Sequence, residues 1–151
     1  MTQHKPLVEL SSKSEYALLA LLELGRNFSN GEPMQIRQIA AQQSIPDRYL
    51  EQLLATLRRA GIVRSQRGAK GGYLLARSPW QVTLYDIVSC IEGFDSGKET
   101  GAKPQTSEGV VIAETWQAVR EAAETVLQKQ TLQDLLDQCR AKQQVDLMYY
   151  I

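Results

Sequence analysis

The sequence predicts a mainly α-helical chain with one small β-hairpin and a long C-terminal helix suited to dimerisation. Three patterns carry that prediction. Leu50, Leu53, Leu54 and Leu57 fall at i, i+3, i+4 and i+7, one buried stripe of a helix. Gly68-Ala69-Lys70-Gly71-Gly72 is a glycine-rich turn between two short strand-like runs. Ile112, Trp116, Val119, Ala123 and Val126 are spaced 4, 3, 4, 3, which is a heptad seam rather than a surface stripe.

The first helix is expected from about Ser14 to Arg26, with Ser12 and Glu15 at capping-box spacing. Its segment Ala17–Leu22 is apolar almost all round, so it should be buried on most sides. Asn30-Gly31 breaks the pattern. A short second helix spans about Gln35 to Gln42, with Ile36, Ile39 and Ala40 on one face. Gln43-Ser44-Ile45 makes a tight connection to a third helix, whose first turn accommodates Pro46 because no N–H is needed there. Opposite the leucine stripe lie Arg48, Glu51, Gln52, Ala55 and Arg59, flanked by Tyr49.

Gly61 is placed to end the third helix. Ile62–Arg67 and Tyr73–Ala76 read as the two strands of a hairpin. Thr83 opens a fourth helix with Leu84, Ile87, Val88 and Ile91 on one face. The polar stretch that follows, with Gly97, Gly101 and Pro104, reads as a mobile loop. The long seam helix covers about Val110 to Gln130, and a last helix is capped by Thr131 with Asp134. The organisation expected is a domain over residues 1–93, a loop over 94–108, and dimerisation and C-terminal helices over 109–151.

The chain has 151 residues, 17 Lys and Arg, and 17 Asp and Glu, for a formal net charge of zero. That excludes a histone-like polycation and says nothing about where the charges sit. Residues 1–80 carry 11 basic and 6 acidic side chains, a balance of +5; residues 81–151 carry 6 and 11, a balance of −5. Between Arg48 and Arg77 there are 7 basic residues and one acid, Glu51. Such a stretch is a phosphate footprint or a solvated face, and charge alone does not choose. No apolar run of about 18 residues suggests a membrane span, and the N-terminal residues have no signal-peptide core. Two cysteines make no disulfide framework, so a cytoplasmic protein is expected.

Two helices joined by a short turn and followed by a hairpin are in winged helix-turn-helix order. There the second helix of the pair can enter the major groove, and the hairpin the minor groove. The motif Tyr49-Leu50-Glu51-Gln52-Leu53, then Leu57-Arg58, Gly61-Ile62-Val63, Arg67-Gly68 and Gly71-Gly72-Tyr73-Leu74-Leu75, resembles the IscR/NsrR/CymR-type (Rrf-two) family of bacterial winged-helix regulators. The similarity begins near Ser11-Ser12-Lys13, runs to about Gly93 and resumes at Thr131–Leu136. It implies a homodimeric transcription regulator on a partly palindromic double-stranded operator, with the seam residues Ile112, Trp116, Val119, Ala123 and Val126 at the dimer interface. Repression is the expected mode.

The resemblance makes Tyr49, Glu51 and Gln52 the readers. A carboxylate can accept from cytosine N4, an amide can pair with adenine, and a tyrosine hydroxyl can hold a phosphate. Arg67 would enter the minor groove from the wing. Arg48, Arg59 and Lys70 complete the expected DNA-binding set. The competing reading of Glu51 is a solvated residue paired with Arg48. Pro46 and Arg48 replace small polar residues common in the family, so a different operator preference is expected.

Well-known members of that family hold an iron–sulfur cluster through three cysteines in the loop after the fourth helix. Residues 94–108 contain no cysteine, so no cofactor and no metal site is expected. A non-standard cluster using Cys90 or Cys139 with Glu15, and His4 as a further ligand, is the alternative; the competing roles are packing for both thiols and a frayed tail for His4. Trp116 could also wall a small-molecule pocket. A second functional class is a protein-interaction module that takes its signal from a partner protein or a small-molecule effector. An enzyme is not expected: the chain has one His, no P-loop and no CxxC.

Overall fold

The computed structural model describes residues 9–93 and 103–149. Among them the elements are α1 (Ser12–Arg26), α2 (Ile36–Gln43), α3 (Asp47–Arg59), β1 (Val63–Gln66), β2 (Gly72–Leu75), α4 (Leu84–Glu92), α5 (Ser107–Lys129) and α6 (Leu132–Tyr149). The mainly helical class with one hairpin is thus observed. His4 and residues 94–102 of the expected loop lie outside the described residues.

α1 is the centre of the fold. Ala17, Ala20, Leu21 and Leu24 are buried, and Leu18, Leu19 and Leu22 pack against the same core. Its cap is Ser11 rather than Ser12. The Ser11 hydroxyl accepts from the Ser14 amide at 3.2 Å, which leaves Glu15 one position beyond capping-box spacing. Glu23 is buried on this helix and accepts from Arg26 and from Gln43 of α2, so its charge is satisfied as it joins two helices.

α2 ends on Ser44 in the left-handed region, φ 54°. Pro46 then takes the N-cap position, one residue earlier than expected. Its carbonyl accepts from the Leu50 amide at 3.1 Å, and the proline sacrifices no donor. Leu50, Leu53, Leu54 and Leu57 are all buried, as their spacing requires. α3 stops by the expected glycine mechanism. Gly61, φ 77°, donates to the Arg58 carbonyl, and Ile62 donates to Leu57.

β1 and β2 pair antiparallel in the register Val63↔Leu75, Arg64↔Leu74, Ser65↔Tyr73 and Gln66↔Gly72. A third segment joins this hairpin. Met34 and Tyr73 exchange backbone hydrogen bonds at 3.0 and 2.8 Å, tying the wing to the entry of α2.

Thr83 and Asp86 cap α4 reciprocally, and Thr131 and Asp134 do the same for α6. Two backbone bonds, Leu84 to Gln130 and Leu132 to Val82, fasten the α5–α6 turn to the start of α4. Leu132 and Leu136 are then buried on the side of α1, where Gly25 leaves room for Leu136. α5 starts three residues before the expected Val110, because Thr106 caps it by accepting from Gly109 at 3.0 Å. It has no buried residue.

Candidate nucleic-acid interface

The leucine stripe of α3 turns inward, so the opposite face must turn outward. Arg48, Tyr49, Glu51, Gln52 and Arg59 are all exposed there. Beyond the Gly61 turn, Arg67 and Lys70 are exposed at the hairpin tip. The structure thus places the seven expected DNA-binding residues on one outward helix face and its adjoining wing.

Their charges are available. Among the described residues the one ion pair is Arg26–Glu23, remote in sequence from the basic stretch. Glu51 therefore has no Arg48 partner, and its carboxylate stands free on a basic surface. Arg59 makes a 3.3 Å bond to Thr56 on its own helix. Two other basic residues of the stretch hold the hairpin instead. Arg58 donates to Ser65 at 3.4 Å, and Arg77 donates to the Gly61 carbonyl at 3.3 Å.

Sequence reasoning missed the residues that support this face. The ring of Tyr16 on α1 packs against Tyr49, with centroids 6.1 Å apart and planes tilted by 56°. Lys13, Tyr49, Gln52, Leu53, Thr56 and Ile91 line one cleft of about 100 Å³, where α1, α3 and α4 meet. Next in sequence to Lys13 and Ile91 of that cleft, the Ser14 hydroxyl donates to Glu92 at 2.7 Å, and the Ser11 hydroxyl donates to the same carboxylate oxygen. The Ser11 bond, then the Ser14 bond, hold the Glu92 carboxyl below its ordinary range; burial opposes them and the Lys13 charge adds to them. No periodicity signals a contact between residues so far apart.

The seam residues behave differently from the core. Ile112, Trp116, Val119 and Val126 are 67%, 53%, 44% and 62% exposed, and Ala123 is exposed too. A heptad row of this kind on one chain is an unpartnered apolar face.

The described candidate ligands, Glu15, Cys90 and Cys139, form no metal-binding group. Among the described residues no group of three or more His, Cys, Asp or Glu side chains could hold a metal ion. Cys90 faces α3, its thiol 3.8 Å from the Thr56 carbonyl. Burial pushes that thiol up from its ordinary value, against a smaller pull from Arg59, which is the wrong direction for a thiolate ligand or sensor. Cys139 is half-buried on α6, in a cleft with Gly25, Trp80 and Arg140. Glu15 is exposed on α1.

A family model described as "Rrf2: Iron-dependent Transcriptional regulator" matches residues 10–138. The chain belongs to the Rrf2 family. It is 34% identical over 142 residues to the HTH-type transcriptional regulator CymR of Bacillus subtilis, covering 94% of this chain and 99% of that protein. The solved structure of CymR, the global cysteine regulator of B. subtilis, superposes with a TM-score of 0.75 at 34% identity, covering 87% of this chain and 98% of that one. The structure of T. potens IscR superposes with a TM-score of 0.72 at 34% identity, covering 88% and 89%. This Rrf2 protein is therefore a transcriptional regulator with a winged-helix fold, and not an enzyme. Iron dependence belongs to the family description. Among the described residues, the two thiols on separate helices and the Glu15 carboxylate on a third form no common metal-binding group.

Proposed function

We propose that this Rrf2 protein is a sequence-specific DNA-binding regulator that acts as a homodimer on a partly palindromic operator. α3 lies in the major groove and the wing reaches the minor groove. The observation that carries this reading is the two-faced α3: four leucines buried on one side, and Arg48, Tyr49, Glu51, Gln52 and Arg59 exposed on the other. Arg48, Arg59 and Lys70 meet phosphates, Tyr49 and Gln52 orient and read, and Arg67 enters the minor groove.

Glu51 is the decisive residue. A free carboxylate on a basic face repels phosphate, so it weakens indiscriminate binding, and it is useful where it accepts from cytosine. Arg67→Ala should weaken binding to every duplex and flatten the salt dependence. Glu51→Ala should instead narrow the gap between a selected operator and random DNA, by roughly 1–3 kcal/mol at one base pair. Competition binding with single-base operator variants measures both. Equal loss on all duplexes for Glu51→Ala would remove it from base readout.

The dimer rests on the exposed heptad row of α5, and the operator symmetry follows from the dimer. The regulator works without a cluster held by loop cysteines, since residues 94–108 supply none. Protein purified anaerobically should be colourless, with iron and sulfide far below one per chain. A brown protein with stoichiometric iron and sulfide contradicts this.

A further inference from the structure

We propose that Glu92 is a positioning residue for DNA reading: it clamps the first turn of α1, and that turn supports Tyr49 at the start of α3. The inference rests on the DNA-binding reading above and assigns a role to a residue outside the reading face.

The clamp is visible in three contacts. Ser11 and Ser14 both donate to one Glu92 oxygen, Oε1, across 81 and 78 residues of chain. Ser11 is the cap of α1, and Ser14 is completely buried, so the carboxylate fixes the helix start from outside and from within. Two residues on, Tyr16 packs against Tyr49, a half-exposed ring at the beginning of α3. Lys13, between the two serines, shares a cleft with Tyr49 and Gln52.

Releasing the clamp leaves the buried Ser14 hydroxyl without its acceptor, at a cost that favours a shifted first turn. A shift there moves Tyr16, and with it the support of Tyr49. The leucine stripe of α3 stays in place, so the fold persists while the reading face loses alignment.

Charge makes the test sharp. Glu92 is an exposed carboxylate near Lys13, bonded to the first turn of α1 although it lies in the acidic half of the sequence. If it were only a surface charge, Glu92→Ala and Glu92→Gln would strengthen DNA binding alike by removing repulsion. A clamp predicts opposite results. Glu92→Gln keeps an amide oxygen for both hydroxyls and should bind the selected operator within threefold of wild type. Glu92→Ala should bind it about tenfold more weakly, the equivalent of ~1.4 kcal/mol. Ser14→Ala removes one donor, and adding Glu92→Ala to it should cost less than the two changes separately.

The measurement is operator affinity of the full-length chain, with wild type, both Glu92 variants, Ser14→Ala and the double variant compared at one salt concentration. Circular dichroism melting reports whether each variant is folded. Equal affinities for Glu92→Ala and Glu92→Gln overturn the clamp. So does strict additivity with Ser14→Ala, which remains decisive should Glu92→Ala alone melt early. Wild-type failure to prefer any duplex would overturn the DNA-binding reading itself, a distinct outcome.

Discussion

Ile112→Glu together with Val119→Glu should produce a folded monomer whose operator affinity is lower by roughly 10²-fold or more, because the second half-site is no longer held by the same particle. Both residues lie on the outward row of α5, seven apart and 67% and 44% exposed, so neither substitution opens a cavity in the chain that carries it. What they remove is the apolar contact between two copies in the proposed dimer. Burying one such side chain fully is worth about 1.5–3 kcal/mol, and a symmetric seam counts each residue twice. The new carboxylates also join Glu108, Glu114, Glu121 and Glu124 on α5, raising the like charge of the helix that forms the proposed interface. Sedimentation equilibrium reads the oligomeric state, and duplex titration reads the affinity. A variant that stays dimeric with wild-type affinity would remove α5 from the interface.

Gly72→Ala should lower stability by about 3 kcal/mol, or a melting temperature lower by roughly 6–12 °C. Gly72 begins β2 at φ 154°, a backbone conformation that favours glycine. A Cβ there would lie 2.4 Å from the Met34 carbonyl oxygen and 2.6 Å from its carbon, both backbone atoms that cannot rotate away. The strand would have to leave Met34, breaking the pair of bonds that tie Tyr73 to the chain entering α2. The loss is therefore functional as well as thermal. A wing detached from the helix pair no longer carries Arg67 in a fixed relation to α3, and operator binding should fall alongside stability. Unchanged melting with an intact hairpin would show that the Met34 bridge is dispensable.

Much of this fold was legible because it is local or periodic. The α3 stripe, the Gly61 stop, the Thr131–Asp134 cap and the glycine turn of the wing each announce themselves within a few residues. The candidate interface was legible for the same reason, since burying four leucines of one helix dictates which side chains face water. Boundaries were less so. The sequence favoured Ser12 as the cap through its spacing to Glu15, whereas Ser11 caps the helix and both Ser11 and Ser14 bond Glu92 from far along the chain. The supports of the interface could not be read at all. The Tyr16–Tyr49 pair, the Met34–Tyr73 bridge and the Glu92 clamp join residues 33, 39 and about 80 positions apart, brought together by tertiary packing alone. The neutral total charge was misleading until divided, because the basic half carries α3 and the wing and the acidic half carries α5 and α6.

The most direct test is to select duplexes from a random pool with the full-length protein, then titrate the best palindromic sequence and a scrambled duplex across a range of salt. The expected result is two chains per selected duplex, affinity about 10³-fold or more above the scrambled one, and affinity falling steeply and log-linearly with salt on both. Equal affinity for selected and scrambled duplexes, or binding that salt leaves unchanged, would contradict sequence reading by α3 and the wing.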